Sequence, residues 1–162
     1  MAPSEFVQNF FETYQCKADA KGRVLIPSAL LKKLAPIIDK GFVMKRSVFS
    51  KCLELFPMEE WERTMQKLNK LNRFNRRHMD FIRRYTAGVR VLELDANGRF
   101  LIPKDLMVHA GITKDITLSG TISVIEIWDT ALYEAAIKEN ANDIDFADLA
   151  EDIMGGGPDD ES

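Results

Sequence analysis

A nine-residue motif occurs twice in this chain, and this repetition constrains the fold more than any other feature. Residues 19–27 read D-A-K-G-R-V-L-I-P, and 76 positions later residues 95–103 read D-A-N-G-R-F-L-I-P. Residues 53–56 (L-E-L-F) also resemble residues 125–128 (I-E-I-W). A near-repeat of this length is typical of two copies of one supersecondary unit, here of roughly fifty residues each. The chain is therefore a tandem duplication.

A single copy is too short to bury a secure hydrophobic core, so we expect the two copies to pack into one body. The predicted organisation is an N-terminal extension at 1–9, a first repeat at 10–62, connecting helices at 63–85, a second repeat with a terminal helix at 86–139, and an acidic tail at 140–162.

Both copies have the same predicted order of strand, motif turn, short helix and hairpin. Gly22 permits a turn with positive φ, and a proline is favourable at the start of a helix. The predicted elements are strands at 10–17 and 23–26, a helix from Pro27 to Leu34, a hairpin of 41–46 with 52–56, and a second-copy helix at 104–110 that ends at Gly111.

The connecting region has apolar residues at helical spacing, with a break at Asn72. The predicted core positions of these two helices are Trp61, Met65, Leu68, Leu71, Phe74, His78, Phe81, Ile82 and Tyr85. The opposite face of the second helix is cationic, with Arg73, Arg76, Arg77 and Arg84. This face is open to three interpretations: solvated surface, contact with phosphate, or pairing with acidic residues of a neighbouring subunit.

Charge is distributed unevenly along the chain. The net charge is -3, but residues 140–162 contain eight of the 25 acidic residues and no Lys or Arg. The remaining 17 acidic residues are set against all 22 basic ones, so residues 1–139 carry a net charge of +5. A basic body suits a nucleic-acid partner. The acidic segment is expected to be disordered, as a solubilising tail or a mimic of nucleic acid, although Phe146, Leu149 and Ile153 leave a short helix possible.

Several classes of function are not indicated by the sequence. It has no apolar run of the ~18 residues that a membrane span requires, so a cytoplasmic protein without a membrane partner is expected. No nucleophile–base pair or phosphate-binding glycine loop adjoins the motif, so we predict no enzymatic activity. Cys16, Cys52, His78 and His109 lack the partners that a metal or catalytic site requires, and we predict no cofactor.

The motif itself favours a binding role. An Asp and an Arg four residues apart across a glycine turn allow the carboxylate to bond the guanidinium or the turn amides. The same turn presents Lys21 and Arg23 as cations, and the second copy presents Arg99. Two such turns related by a pseudo-twofold axis suit a DNA backbone or a groove read by β structure.

The tandem D-x-x-G-R-x-x-I-P units, the P-M-E-E-W-E stretch at 57–62 and the I-E-I-W-D stretch at 125–129 resemble the bacterial MraZ family. Its units belong to the AbrB-like (SpoVT-AbrB) swapped-hairpin class, and the resemblance extends from about residue 10 to residue 139. It implies an α+β fold, a double-split β-barrel built from two tandem swapped-hairpin repeats with flanking helices.

The resemblance also implies a function. It suggests a sequence-specific DNA-binding transcriptional regulator of the nucleoid, assembled as a ring of subunits. Its DNA would be short direct repeats in the promoter of the division and cell-wall gene cluster, including its own gene. The residues expected to contact DNA are Lys21, Arg23, Asn97 and Arg99, and those expected to hold the turns are Asp19, Gly22, Asp95 and Gly98. The alternative role for the two aspartates is a bridge to an arginine of the other copy. Asn97 stands where the family often has a charged residue or Gln.

Two other hypotheses remain open at this point. AbrB-like units also serve as antitoxins that bind a partner protein with a disordered tail, which the acidic segment resembles. A ring protein without affinity for nucleic acid is the third hypothesis, in which the positive body only balances the acidic tail.

Overall fold

The computed structural model describes residues 9–138 and 145–155, and within these ranges the chain is α+β, as predicted. The strands are β1 Thr13–Lys17, β2 Arg23–Leu25, β3 Phe42–Arg46, β4 Leu53–Pro57, β5 Arg90–Leu92, β6 Arg99–Leu101, β7 Asp115–Gly120 and β8 Ile125–Asp129. The helices are α1 Ser28–Leu34, α2 Met58–Leu68, α3 Arg76–Tyr85, α4 Lys104–Ala110, α5 Thr130–Lys138 and α6 Phe146–Met154, with a 3₁₀ helix at Ala35–Lys40.

Six strands form one antiparallel sheet in the order β1-β7-β8-β4-β3-β5. The order is symmetric with respect to the duplication, because the hairpins β3–β4 and β7–β8 meet at its centre through β4 and β8. The first strand of each repeat pairs with the hairpin of the other repeat, β1 with β7 and β5 with β3. The sheet is open in the described part of the chain, with β1 and β5 at its edges.

The remaining two strands, β2 and β6, belong to the two motifs and pair with each other as an antiparallel ribbon, and Val24 of β2 also forms an isolated bridge with Ala18. One face of this ribbon contributes Val24 and Phe100 to the hydrophobic core, together with Leu30 of α1 and Leu106 of α4. The motif turns are therefore held on a packed β scaffold that contains residues of both repeats.

The helices next to the motifs begin and end where local chemistry predicts. Helix α1 follows Pro27 and ends at Leu34, although the chain then continues as the 3₁₀ helix that contains Pro36. Helix α4 has the predicted bounds and ends at Gly111, whose φ is 67°. The predicted strand at 10–17 is shorter, because Phe10 forms only an isolated bridge with Ile122 before β1 begins.

The second connecting helix differs from its prediction at its start. The Asn75 side chain accepts hydrogen bonds from the backbone N–H groups of Arg77 at 2.9 Å and His78 at 3.1 Å, so α3 begins at Arg76. Phe74 therefore precedes the helix and is 94% exposed, which makes its assignment to the core wrong. Arg73 likewise precedes the helix. The core assignments of Met65 and Phe81 are also wrong, because these side chains are 39% and 48% exposed.

The chain divides by its internal contacts into two units, residues 1–130 and 131–162. Every strand described above belongs to the first unit. In the acidic segment, the stretch around Phe146, Leu149 and Ile153 forms helix α6, whereas the predictions for 1–8, 139–144 and 156–162 concern residues outside the described ranges. None of the described helices is long and apolar enough to span a bilayer.

Candidate nucleic-acid interface

The first motif folds into a turn organised by one carboxylate. Asp19 Oδ1 accepts hydrogen bonds from the backbone N–H groups of Lys21 and Arg23, both at 2.9 Å. Its Oδ2 accepts from Nε of Arg23 at 2.7 Å. The carboxylate therefore bonds the turn amides and the guanidinium of its own copy at the same time, and it fixes the Arg23 side chain on the turn.

The second motif repeats this geometry. Asp95 Oδ1 accepts from the backbone N–H groups of Asn97 and Arg99, both at 2.9 Å, and Oδ2 accepts from Nε of Arg99 at 3.0 Å. Because the contacts are the same in both copies, the two turns are structurally equivalent.

The two turns are also bonded to the opposite copy. The carbonyl oxygen of Gly22 accepts from the N–H of Ile102 at 2.8 Å, and that of Gly98 accepts from the N–H of Ile26 at 3.0 Å. Gly22 and Gly98 have φ values of 90° and 78°, which favour glycine. A Cβ on Gly22 would lie 2.5 Å from the carbonyl oxygen of Ile102, so this turn has no space for a side chain.

The outward face of the ribbon carries the two motif arginines. In the register of β2 with β6, Arg23 lies opposite Leu101 and Leu25 lies opposite Arg99. Since residues two apart in a strand share a face, all four side chains point to one side, with the arginines on one diagonal and the leucines on the other. Leu25 and Leu101 are 56% and 52% exposed.

Sequence reasoning missed the two exposed leucines. The signal was the two-residue period of a strand in R-V-L-I and R-F-L-I, because alternate residues face opposite sides. With Val24 and Phe100 buried, the Arg and Leu positions on either side of them face outward. The remaining candidate residues, Lys21 and Asn97, are exposed in the turns that precede β2 and β6, and antiparallel pairing places these turns at opposite ends of the ribbon.

The carboxylates of both turns are stabilised in their charged form. Hydrogen bonds from the backbone and the side chain of Arg23 lower the pKa of Asp19 to about 2. The backbone N–H of Arg99 is the main cause of the lowered pKa of Asp95. Both carboxylates are therefore ionised at neutral pH, and each holds an arginine that remains partly open to solvent, with side-chain exposures of 46% for Arg23 and 39% for Arg99.

The two cysteines and two histidines lie in environments set by burial and by backbone hydrogen bonding. Burial raises the pKa of Cys16 to about 11 and that of Cys52 to about 12, so both thiols stay protonated at neutral pH and are poor nucleophiles. Nδ1 of His78 accepts from the backbone N–H of Asn72 at 2.9 Å. Burial, followed by the charge of Arg46, lowers the pKa of His109. Within 9–138 and 145–155, no group of three or more His, Cys, Asp or Glu residues is arranged to hold a metal ion.

Comparison with known proteins gives a consistent result. A family model described as "MraZ protein, putative antitoxin-like" matches residues 10–84 and 86–154. A protein of Flavobacterium psychrophilum is 59% identical over 149 residues, 92% of this chain and 94% of the relative. One of Christiangramia forsetii is 56% identical, with 91% and 94% covered, and one of Cytophaga hutchinsonii is 39% identical, with 90% and 94% covered. All three are named "Transcriptional regulator MraZ". The chain therefore belongs to the MraZ family, as its duplicated motif indicated.

Proposed function

We propose that this protein is a transcriptional regulator that binds duplex DNA in a sequence-specific manner through the outward face of the β2–β6 ribbon and the adjoining turns. The observation that carries the proposal is the diagonal pair Arg23 and Arg99, each fixed by its own aspartate on a ribbon built from both repeats. The names of the relatives support a regulatory role.

The shape and chemistry of the ribbon suit the major groove of B-DNA, which admits a two-stranded β-ribbon. An arginine can donate two hydrogen bonds to a guanine edge or bond a phosphate, and the methyl groups of Leu25 and Leu101 can contact thymine methyls. Lys21 at one end of the ribbon adds a cation, and Asn97 at the other end can pair with an adenine edge. Because the two ends differ, the ribbon would distinguish the two directions of an asymmetric site.

The aspartates act on the DNA through the arginines. Asp19 and Asp95 each bond Nε of the arginine four residues later, and the two NH2 groups of each guanidinium would donate to the DNA. A guanidinium held in this way loses less conformational entropy on binding than a free one. Gly22 and Gly98 keep the turns tight enough for these contacts.

One ribbon of three-residue strands contacts few base pairs, so strong and selective binding requires several copies. We therefore propose a homo-oligomer, in the form of a ring, that binds short direct repeats. The proposed target is the promoter of the division and cell-wall gene cluster, including the gene of this protein, which implies a location on the nucleoid. The exchange of β1 and β5 between the repeats supports the swapped-hairpin class and the double-split barrel.

A fluorescence-anisotropy titration tests the proposal. The protein is titrated against a labelled duplex from upstream of its own gene and against a scrambled duplex of equal length, at about 50 and 200 mM salt. We expect tighter binding to the native duplex at both salt concentrations. Equal affinity for the two duplexes, or binding abolished by the higher salt, would contradict sequence-specific recognition. Complete absence of binding together with a co-purifying small protein would favour the antitoxin-type hypothesis.

A further inference from the structure

Helix α3 presents a cationic surface that the proposed DNA interface does not use. The helix contains four arginines and one acidic residue, Asp80, so its net charge is +3. Asp80 forms ion pairs with Arg83 at 3.7 Å and Arg84 at 3.2 Å, and both arginine side chains remain more than 70% exposed, at 73% and 81%. The positive charge is therefore displayed to solvent rather than neutralised within the helix.

An aromatic side chain lies at the edge of this cationic surface. Phe81 is 48% exposed and stacks on Tyr85 with ring centroids 5.7 Å apart. Tyr85 stacks in turn on Trp61 at 6.3 Å, and Trp61 meets the buried Phe56 edge to face at 5.2 Å. Phe81 is thus the outer end of an aromatic row that reaches the core, which gives the surface a rigid apolar anchor beside its arginines.

Helix α6 has the opposite charge and an apolar face of its own. Residues 146–154 contain Asp148, Glu151 and Asp152 and no basic residue, so the helix has a net charge of -3. Its exposed apolar residues Phe146, Leu149, Ile153 and Met154 lie on one side at helical spacing. Glu151 and Asp152 lie at the two edges of that side. A nine-residue helix is marginal alone in water, so a partner that covers this apolar face would stabilise it.

We propose that α6 of one copy of the chain docks on the cationic aromatic surface of α3 in a second copy. The charges of +3 and -3 are complementary, and Phe81 would meet the apolar face of α6 while the surrounding arginines pair with Glu151 and Asp152. The apolar component favours a protein helix over DNA phosphate as the partner of α3. This inference rests on the proposed assembly of several copies and names the contact that joins them.

The experiment measures the mass of the full chain by analytical ultracentrifugation. One triple variant carries Arg76→Glu, Arg77→Glu and Arg84→Glu, and the other carries Asp148→Lys, Glu151→Lys and Asp152→Lys. We expect each variant alone to form smaller particles than the wild type, and an equimolar mixture to recover the wild-type mass because opposite charges again face each other. Recovery in a mixture requires a contact between different copies.

Phe81→Ala tests the apolar anchor, with Phe49→Ala as its control because Phe49 is 93% exposed in the β3–β4 hairpin. We expect the first substitution to weaken assembly at least about fivefold and the second to leave it unchanged. Wild-type mass in both triple variants, or a mixture that fails to recover, would overturn the proposed contact while leaving assembly intact. A single-chain wild type would refute the assembly itself. If the triple arginine variant keeps the wild-type mass but loses affinity for DNA, α3 contacts DNA phosphates instead, and the proposed docking of α6 on α3 is wrong.

Discussion

The equivalent glycines of the two motifs provide a matched test of the site architecture. Gly22 and Gly98 both have positive φ, so an alanine at either position costs about 1–2 kcal/mol in backbone strain. Their surroundings differ, however. A Cβ added at Gly22 would lie 2.5 Å from the carbonyl oxygen of Ile102, whereas one added at Gly98 would lie 3.0 Å from Cδ2 of Leu31, the end of a flexible side chain.

The difference in contacts predicts a difference in stability. At position 22 the backbone of Ile102 must move, which weakens its 2.8 Å hydrogen bond to the Gly22 carbonyl and adds about 1–3 kcal/mol to the strain. We therefore expect Gly22→Ala to lower the free energy of unfolding by about 2–5 kcal/mol, the sum of the strain and the displacement. At position 98 a rotation of Leu31 relieves the contact, so we expect Gly98→Ala to cost about 1–2 kcal/mol.

Urea unfolding of both variants at equal protein concentration measures the two costs, and far-ultraviolet circular dichroism verifies that each variant is folded. Equal concentrations are needed because assembly stabilises the folded state by mass action. A Gly98→Ala variant that is as unstable as Gly22→Ala, or less stable, would refute the reasoning, because the close contact with the Ile102 carbonyl would then add nothing to the cost of backbone strain.

Three further predictions concern the Asp19 turn, the exposed face of the ribbon and the buried Lys45. Asp19→Asn removes a carboxylate whose pKa is lowered to about 2. In the wild type this carboxylate contributes fully to the free energy of unfolding above its ordinary pKa of about 4, and the contribution is lost as the pH falls through about 2. Urea midpoints should therefore fall between pH 4 and 2 more in the wild type than in the variant, with Asp39→Asn, at an exposed position, as control. Leu25→Ala should change the free energy of unfolding by less than about 1 kcal/mol but weaken DNA binding about fivefold in an anisotropy titration. The control Val48→Ala, at a similarly exposed residue, should leave the affinity for DNA unchanged. Lys45 is 1% exposed, and its Nζ lies 3.7 Å from Oε1 of Glu54. Lys45→Met leaves the Glu54 carboxylate without this partner and should destabilise the chain by about 3 kcal/mol in thermal or urea unfolding. A second substitution, Glu54→Leu, should restore part of the loss.

The parts of the site that follow from local chemistry could be predicted from the sequence. The glycine turn with Asp19 and the end of α4 at Gly111 depend on residues within a few positions of each other. The same is true of α1, which follows Pro27 as expected. Local signals of this kind do not require knowledge of the rest of the fold.

The features that depend on distant contacts could not be predicted in the same way. The motif strands gave no sign that β2 would pair with β6, because strand pairing depends on packing across the whole body. Without that pairing, the exposed leucines could not be placed beside the arginines. Phe74 was misassigned because the apolar period continued through it, whereas the Asn75 cap starts the helix only at the following residue.

The central claim is that the arginines of the β2–β6 ribbon contact DNA, and a comparison of matched arginine variants tests it most directly. Arg23 and Arg63 have similar side-chain exposures, 46% and 52%, and each is paired with a nearby carboxylate, Asp19 or Glu60. The substitution of either by Gln removes one positive charge. The affinity of each variant for the native duplex is measured by fluorescence anisotropy at one salt concentration. We expect Arg23→Gln to weaken binding at least about tenfold and Arg63→Gln less than about twofold. Equal losses, or no loss in a folded Arg23→Gln protein of wild-type mass, would contradict the claim.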